Sequence, residues 1–493
     1  MIDFSSVPSS AIASGVFVEQ EAVARGVGAL KIPQKIALFG QYNSGKSPVN
    51  YAPRLLNSAD EAASLYGVGS MLHLMARKAF KGAGIVPIYA FPIPADASAS
   101  AATGSITVTG TTTSRGTIAL FISGQKVSIA IPLASSAADV ASAIVSAIGA
   151  AVNLPVTASL AGSTVNLESK WKGESANTIK MALDLDDTDS LAEPSGISIV
   201  FSQLSGGATD PSTAPAFDAM GATFFTQVAY PYDSAAQLAT LDEYWTSRIS
   251  PEIKKPFLAI IGNTETIANF TSRVTNRNSP VETYVNAELA ASLPCEIAAS
   301  AVAVCAKSAE SNPARPWKNL VLPGIRAGTN PAFTYAQHNS CQSAGGGTTD
   351  PLIDGTVKIH DLVTTYKTNA LGADDDVFRY PETIANIQAK IYSLDNLFSS
   401  APFDRAIVVD DKAVTGLDYA MSPKRVKSFV LRLIDELWIP NAWSKNRDDI
   451  VASIEAEIDA SNPGRINVGV GDILAAGLRV IAIKYRWAFA PSA

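Results

Sequence analysis

The sequence predicts a multidomain protein of the α+β / α/β class. In this prediction an α/β core carries an inserted β-rich domain and is followed by an α+β C-terminal domain. The chain has 493 residues, enough for about two to four domains. Strand-like and helical segments alternate before residue 97 and after residue 208, and a strand-rich block with loose Ala/Ser/Thr-rich ends lies between them. The βαβα order outside the block indicates a largely parallel sheet.

The composition is that of an ordinary soluble globular chain. Hydrophobic residues make up 47% and charged residues 17%, and the formal net charge is −7. The acidic balance argues against nucleic acid as the main partner, because binding a phosphate backbone needs a basic surface. The N-terminus has no basic region followed by an apolar core, and no run approaches the ~18 apolar residues of a membrane span. We therefore expect a protein that folds in a reducing cytoplasm.

Shifts in composition divide the chain into five parts. The first residues contain Pro8 and several serines, and they are too few and too polar to form a core of their own. The predicted parts are an N-terminal arm (1–30), a discontinuous α/β core (31–96 and 209–350), an inserted β-rich surface domain (97–208), an α+β C-terminal domain (351–475) and a C-terminal strand or arm (476–493).

Several elements can be placed within these parts. A strand at 35–39 is followed by a helix that Ser58 and Glu61 begin as a capping box and that Gly67 ends. The insert carries five strand-like runs and one helical run, SAADVASAIVSAIGAA. The segments PETIANIQAKIYSLDNLF and SPKRVKSFVLRLIDELW predict two helices of the C-terminal domain.

One segment matches a nucleotide-binding motif. The run GQYNSGKS, residues 40–47, fits G-x-x-x-x-G-K-[ST] through Gly40, Gly45, Lys46 and Ser47. A working P-loop needs a helix N-terminus at the lysine and serine. Here Pro48 disfavours a helical conformation at Ser47, and a second proline follows at residue 53. We therefore interpret the match as chance, a strand followed by a glycine-rich turn, and predict no cofactor.

Other candidate sites are weaker. The segment RAIVVDD (405–411) could supply a magnesium-binding aspartate, but it lies in the C-terminal domain. The acidic runs 374–376 and 184–189 lack the spacing and glycine of a calcium loop, so we expect solvated carboxylates. The three cysteines have no metal-ligand spacing, and the three histidines are far apart in the sequence, so no metal site is predicted. No arrangement indicates catalysis.

In two segments the side chains alternate in the manner of β-strands. One is GVFVE in the N-terminal arm, and the other is VIAIKY near the C-terminus; the residues are Gly15, Val16, Phe17, Val18, Glu19, Val480, Ile481, Ala482, Ile483, Lys484 and Tyr485. Each could be an edge strand within one subunit. We favour exchange between subunits, because an unpaired strand edge is a template for another chain's strand.

Several segments, taken in order, resemble those of a contractile-tail sheath protein, closest to the sheath subunit of Mu-like bacteriophages. They are SSAIASGVFVEQE, the glycine-rich turn before SADEAASLYGVGSMLHLMARKAF, VKIHDLVTTYKTNALGADDDVFRYPETIANI and GRINVGVGDILAAGLRVIAIKYRWAF. The resemblance covers most of the chain. The insert corresponds to the variable domain that such proteins carry outside a shared core.

The resemblance implies a structural function without catalysis. Sheath subunits stack as hexameric rings around an inner tail tube, and contraction drives the tube through the host envelope for genome ejection. The implied partners are other copies of the chain, the tube protein, and the baseplate and tail terminator proteins. The implied location is the virion, after assembly in the host cytoplasm. In the family, N- and C-terminal arms add strands to a sheet in a neighbour's C-terminal domain.

Two other functions remain open from the sequence. A P-loop ATPase would use residues 40–47 and would be stabilised by ATP. A surface-layer or adhesin subunit is suggested by the Thr/Ser-rich insert, although the α/β core and the absence of a signal peptide argue against it.

Overall fold

A computed structural model describes residues 32–185, 193–328, 332–413 and 417–487. These residues form mixed α/β structure around two hydrophobic cores. The strands, in chain order, are β1 (Ile36–Gln41), β2 (Arg54–Leu56), β3 (Ile88–Ile93), β4 (Ala101–Gly110), β5 (Gly116–Ile122), β6 (Gln125–Ile131), β7 (Val156–Ala161), β8 (Thr164–Lys172), β9 (Met181–Leu183), β10 (Ile197–Ser205), β11 (Gln227–Ala229), β12 (Leu258–Asn263), β13 (Glu282–Asn286), β14 (Val321–Arg326), β15 (Gly347–Pro351), β16 (Thr356–Asp361), β17 (Ile407–Val408), β18 (Ala420–Met421), β19 (Glu455–Ile458) and β20 (Ile466–Gly469).

Helices connect most of these strands. A 3-10 turn covers Glu174–Thr178, and a π-helical turn covers Ile434–Trp438. The α-helices are α1 (Ala59–Tyr66), α2 (Met71–Gly82), α3 (Ala137–Ala150), α4 (Ala214–Ala219), α5 (Ala235–Arg248), α6 (Ile267–Thr275), α7 (Pro294–Ser311), α8 (Tyr335–Ser343), α9 (Pro381–Phe398), α10 (Pro423–Leu433) and α11 (Arg447–Ser453). None of the helices described is long and apolar enough to cross a membrane.

The core is a nine-stranded sheet in the order β14-β16-β15-β13-β12-β11-β1-β3-β2. Its six central strands, from β15 to β3, are mutually parallel, whereas β2, β16 and β14 run antiparallel to their neighbours. Every residue of β1, β12 and β13 is buried. Full burial on both faces is typical of parallel strands covered by helices, and it confirms the predicted mixed α/β class.

Local signals place the first helices where the sequence predicts them. The Ser58 hydroxyl accepts a hydrogen bond from the Glu61 amide at 3.1 Å, which satisfies a free donor at the start of α1. Gly67 ends this helix with a φ of 96°, a conformation that costs glycine little. Helix α2 then begins after Ser70, whose side chain accepts a hydrogen bond from the His73 amide and so caps the helix.

Helix α7 packs across β12 because glycine allows a close approach. A Cβ atom at Gly262 would lie 1.9 Å from the Pro294 carbonyl oxygen. The helix is rich in alanine, and Ala298, Ala301 and Ala306 are fully buried. Small residues at both surfaces thus set the separation of helix and sheet.

Residues 101–205 form two sheets of their own. One has the order β10-β4-β8-β7 and the other β6-β5-β9, and α3 packs between them with Ile144 and Ile148 buried. The five strand-like runs and the helix predicted for this region are all present as β4–β8 and α3. The Gln41 amide of β1 donates to the Lys172 carbonyl at 2.7 Å, so this unit lies at the carboxyl end of the central core strand.

The predicted division between residues 350 and 351 is wrong. It falls inside the hairpin of β15 and β16, and β16 pairs with both β15 and β14 within the core sheet. The sheet therefore continues to Asp361. The strands β14 and β15 lie in a glycine- and proline-rich passage near 322–355, a composition that is also typical of domain linkers.

A second, smaller core lies near the C-terminus. Helix α10, the π-helical turn and α11 contribute Val430, Trp438 and Ile450 to it, and the turn before α11 contributes Trp443. The helix predicted at 381–398 is confirmed as α9. Contacts with the large core include the Gln388 amide, which donates to the carbonyls of Thr226 and Pro256, each at 3.2 Å.

Candidate functional site

The segment that matches a P-loop is not followed by a helix. Residues 42–53 form turns and irregular structure between β1 and β2, and α1 begins only at Ala59. Gly45 has a φ of 88°, and apart from its two chain neighbours no atom of the described residues lies within 4 Å of where its Cβ would be. Without a helix N-terminus at Lys46 and Ser47, this turn lacks the aligned backbone amides that hold phosphates.

The charged groups assigned to a nucleotide site are used elsewhere. The Lys46 ammonium donates to the Ser64 carbonyl of α1 at 2.8 Å. Asp411 accepts a hydrogen bond from the Lys424 amide at 2.7 Å, at the start of α10. It lies between β17 and β18, which form a two-stranded sheet separate from the core sheet. Lys46 and Asp411 therefore contact different parts of the structure and do not form one site.

In the acidic run 374–376, Asp375 is held by hydrogen bonds within its own loop. Asp375 accepts hydrogen bonds from the Tyr366 hydroxyl at 2.7 Å and the Val377 amide at 3.0 Å. These contacts, the Val377 amide above all, lower the pKa of Asp375. Asp374 and Asp376 are exposed. In the other run, Asp184 is described and residues 186–192 lie outside the described part of the chain.

Only the C-terminal one of the two arm segments lies within the described residues. Gly15, Val16, Phe17, Val18 and Glu19 lie outside the described residues. Residues 476–487 form no strand or helix within the single chain, and the exchange predicted for Val480–Tyr485 stays a prediction. Its apolar side chains are exposed: Val480 by 76%, Ile483 by 83% and Tyr485 by 81%. The segment has strand-forming side chains, and among the described residues it pairs with no strand.

The chain immediately before this segment is fixed by a cluster of charges. The Arg479 guanidinium donates to Asp361 at 2.7 Å and also to Glu382, and it lies 3.5 Å from the centre of the Tyr380 ring. Burial raises the pKa of Glu382, and the charge of Arg479 opposes that shift. The Lys318 ammonium donates to the Leu478 carbonyl at 2.6 Å.

A second buried lysine holds the chain a few residues earlier. Lys390 of α9 pairs with Asp472 and donates to the Ser444 hydroxyl at 2.7 Å, and that hydroxyl donates to Asp472 at 2.7 Å. Burial lowers the pKa of Lys390, and the paired Asp472 opposes this. Residues 472–479 are thus attached to the subunit, and the exposed apolar segment begins at Val480.

Close to these attachments is a two-stranded ribbon. Strands β19 and β20 pair antiparallel from Glu455↔Gly469 to Ile458↔Ile466. Within the described residues no further strand pairs with either outer edge of this ribbon. Unpaired edges offer backbone donors and acceptors to a strand from another chain.

The interpretation of the histidines as isolated is wrong for two of the three. His338 of α8 and His360 of β16 stack with ring centres 3.7 Å apart, and both contact Asp350 of β15. Burial, and then the neighbouring His360, lower the pKa of His338. The third, His73, is buried in α2 and accepts a hydrogen bond from the Gly69 amide at 2.9 Å.

The cysteines are core residues. Cys295, Cys305 and Cys341 are buried free thiols. Burial raises the pKa of each thiol, to about 11 for Cys341. A protonated, buried thiol is a poor nucleophile, so these positions offer no reactive centre.

Comparison with solved structures defines the class of fold. The chain is similar to the contracted helical sheath of the anti-feeding prophage, with 12% identity, a TM-score of 0.50, and coverage of 96% of this chain and 99% of that one. It is also similar to a sheath tail protein from Desulfitobacterium hafniense, with 10% identity, a TM-score of 0.47, and coverage of 93% and 100%. The TM-score of 0.50 with the anti-feeding prophage sheath shows that the fold is that of contractile-sheath proteins.

A curated relative makes the similarity more specific. The chain is 25% identical over 487 residues to the tail sheath protein of the Mu-like prophage FluMu of Haemophilus influenzae, covering 98% of each protein. This relative confirms the resemblance to the sheath subunit of Mu-like phages. No family model matches the chain.

Proposed function

We propose that this chain is the structural subunit of a contractile tail sheath. The observation that carries the proposal is the similarity to the FluMu tail sheath protein, which extends over 98% of both chains. A likeness of this extent includes the core, the insert and the C-terminal region together. The subunit works without catalysis in this proposal, by changing its contacts with other copies.

In the proposed assembly, copies stack as hexameric rings around an inner tail tube. The sheath is attached to a baseplate and ends at a tail terminator protein. It is assembled in the host cytoplasm and becomes part of the virion. Contraction drives the tube through the host envelope so that the genome can be ejected.

The C-terminal segment is proposed to link neighbouring subunits. Residues 480–485 alternate, with Ile481, Ile483 and Tyr485 on one face of an extended chain. Pairing this segment with an open edge of the β19–β20 ribbon of a neighbour would satisfy its backbone and bury that face. The N-terminal segment 15–19 is proposed to add a second strand.

The attachments at residues 472–479 suit this role. Arg479, Asp361 and Glu382 are nearly buried, with side-chain exposures of 12%, 11% and 5%. A cluster of this kind fixes the last attached residue to the subunit while the residues beyond it extend to a neighbour. The tether then stays connected while the cores rotate.

The energy for contraction is proposed to be stored at assembly. The extended lattice is a kinetically held state, and contraction releases free energy by enlarging contacts between rigid subunit cores. No nucleotide is required, which agrees with the missing helix after Ser47.

Deletion of residues 1–25 tests the tether. We expect a folded protein, judged by circular dichroism and thermal unfolding, that no longer sediments as polymers. If the truncated chain forms regular tubes as the full chain does, the N-terminal tether is disproved.

A further inference from the structure

His338, Asp350 and His360 converge from three different elements. The His338 Nε2 atom lies 3.1 Å from Asp350 Oδ1, and the His360 Nδ1 atom lies 3.1 Å from Asp350 Oδ2. The three potential ligand atoms all lie within 4.8 Å of one another. Ligands of a zinc-sized ion at 2.0–2.2 Å are separated by about 3.0–3.5 Å. Because each imidazole binds a metal in its own ring plane, the two stacked rings rotate apart when these atoms close around one ion.

We propose that these three residues bind a divalent transition-metal ion of the zinc class. Two imidazole nitrogens and one carboxylate oxygen form a donor set that suits Zn²⁺, whereas Mg²⁺ and Ca²⁺ prefer oxygen ligands. The ion joins helix α8 to the β15–β16 hairpin, at one side of the core sheet.

Neighbouring side chains orient the first imidazole. His338 Nδ1 lies 2.7 Å from the Thr348 hydroxyl, which also accepts from the Gln342 amide at 3.2 Å. When Nε2 binds the metal, Nδ1–H donates to this hydroxyl, whose second lone pair is free for that bond. The Phe333 ring packs edge-on against His338, with ring centres 5.4 Å apart.

The second imidazole provides access. The His360 side chain is 37% exposed, so an ion can enter from solvent and water can complete its coordination. The Lys358 ammonium, 3.6 Å from Asp350 Oδ2, is the competing cation. Its side chain is 30% exposed, and it turns to solvent when the ion takes its place beside the carboxylate.

The test is calorimetric titration of the chelator-treated full-length chain with ZnCl2 and, separately, MgCl2. We expect one zinc ion per chain and no heat from magnesium. His360→Gln, at the exposed end of the site, should weaken zinc binding at least about tenfold, and Thr348→Val by about 10–100-fold. His73→Asn alters the third of the chain's three histidines and should leave binding unchanged.

Two further results decide the proposal. Circular dichroism must show that each variant is folded. With Co²⁺ as the probe, the proposed ligands give d–d absorption without a thiolate charge-transfer band. Absence of zinc binding, binding unaffected by His360→Gln, or a thiolate band from the buried cysteines would each overturn the proposal.

Discussion

Arg479 donates a hydrogen bond to Asp361 at 2.7 Å and thereby joins the start of the exposed C-terminal segment to the last residue of strand β16. Glu382 is a second acceptor for the same guanidinium. Counted as whole residues, Asp361 and Glu382 are only 8% and 4% exposed, so neither carboxylate is well hydrated without its cation. The contact fixes the direction in which the chain leaves the subunit.

Arg479→Ala should therefore destabilise the subunit. It leaves two buried carboxylates without a cation, a change that typically costs about 3–5 kcal/mol of the free energy of unfolding. Urea unfolding at pH 8 measures this loss. Lys484→Ala is the matched control, because Lys484 is exposed in the same segment, and its effect should stay within about 0.5 kcal/mol. Equal effects of the two substitutions would contradict the anchoring role.

Ile483→Asp should block polymerisation without changing the stability of the single chain. Ile483 is 83% exposed in the subunit, so a charge there costs little until a neighbour buries it. Ala482→Asp places the same charge on the other face of the extended segment and should allow assembly. Sedimentation of the two variants provides the comparison. Normal polymers from Ile483→Asp would disprove the proposed strand exchange.

His73 makes the subunit sensitive to acid. Burial, followed by the charges of Arg77 and Lys170, lowers the pKa of His73 from 6.5 to about 4, with Asp60 opposing. Because the folded pKa lies below the unfolded value, the stabilisation is complete above about pH 6.5 and is lost as the pH falls toward 4. The loss is on the order of 3 kcal/mol at the acid end.

Urea unfolding between pH 7.5 and 4 measures this dependence. His73→Asn keeps an acceptor for the Gly69 amide but cannot be protonated, so its stability should fall less over that range. His360→Gln should retain the part of the pH dependence that comes from His73. If wild type and His73→Asn have parallel pH profiles, the assignment to His73 is wrong.

ATP should not stabilise the protein. Lys46 contacts the Ser64 carbonyl, and no helix N-terminus follows Ser47. Thermal unfolding with and without Mg²⁺ and ATP should give the same midpoint for wild type and for Lys46→Ala. A rise in the wild-type midpoint that Lys46→Ala abolishes would restore the ATPase alternative.

Local sequence signals predicted much of this fold. Ser58 and Gly67 bound α1 as expected, and Pro381 begins α9 at the predicted residue. These features depend on caps and on helical periodicity, which are properties of short segments. Pro48 is a local signal of the same kind, and it correctly predicted that no helix begins at Ser47.

The histidine cluster forms because strand β15 pairs with strand β16, and the sequence did not make this pairing evident. In the β15–β16 hairpin Asp350 lies opposite Lys358, and His360 follows two residues later on the same face. The boundary predicted between residues 350 and 351 places β16 in a different domain from most of β15. The sequence signal for this pairing is the strand-like alternation of KIHD (358–361), which follows TTDP (348–351) after a short turn.

The predicted exchange of the C-terminal segment between subunits stays a prediction, because it depends on a second copy of the chain. Residues 480–485 have the side-chain alternation of a strand, but a strand also needs a backbone partner. The single chain provides none for this segment among its described residues. The sequence of this segment indicates its propensity to form a strand, whereas the strand with which it pairs depends on the assembly.

Electron microscopy of the purified full-length protein at high concentration, alone and coexpressed with the tube protein of its gene neighbourhood, tests the central claim most directly. The sheath proposal predicts hollow tubes built of stacked six-fold rings. Dispersed single subunits under both conditions would contradict it.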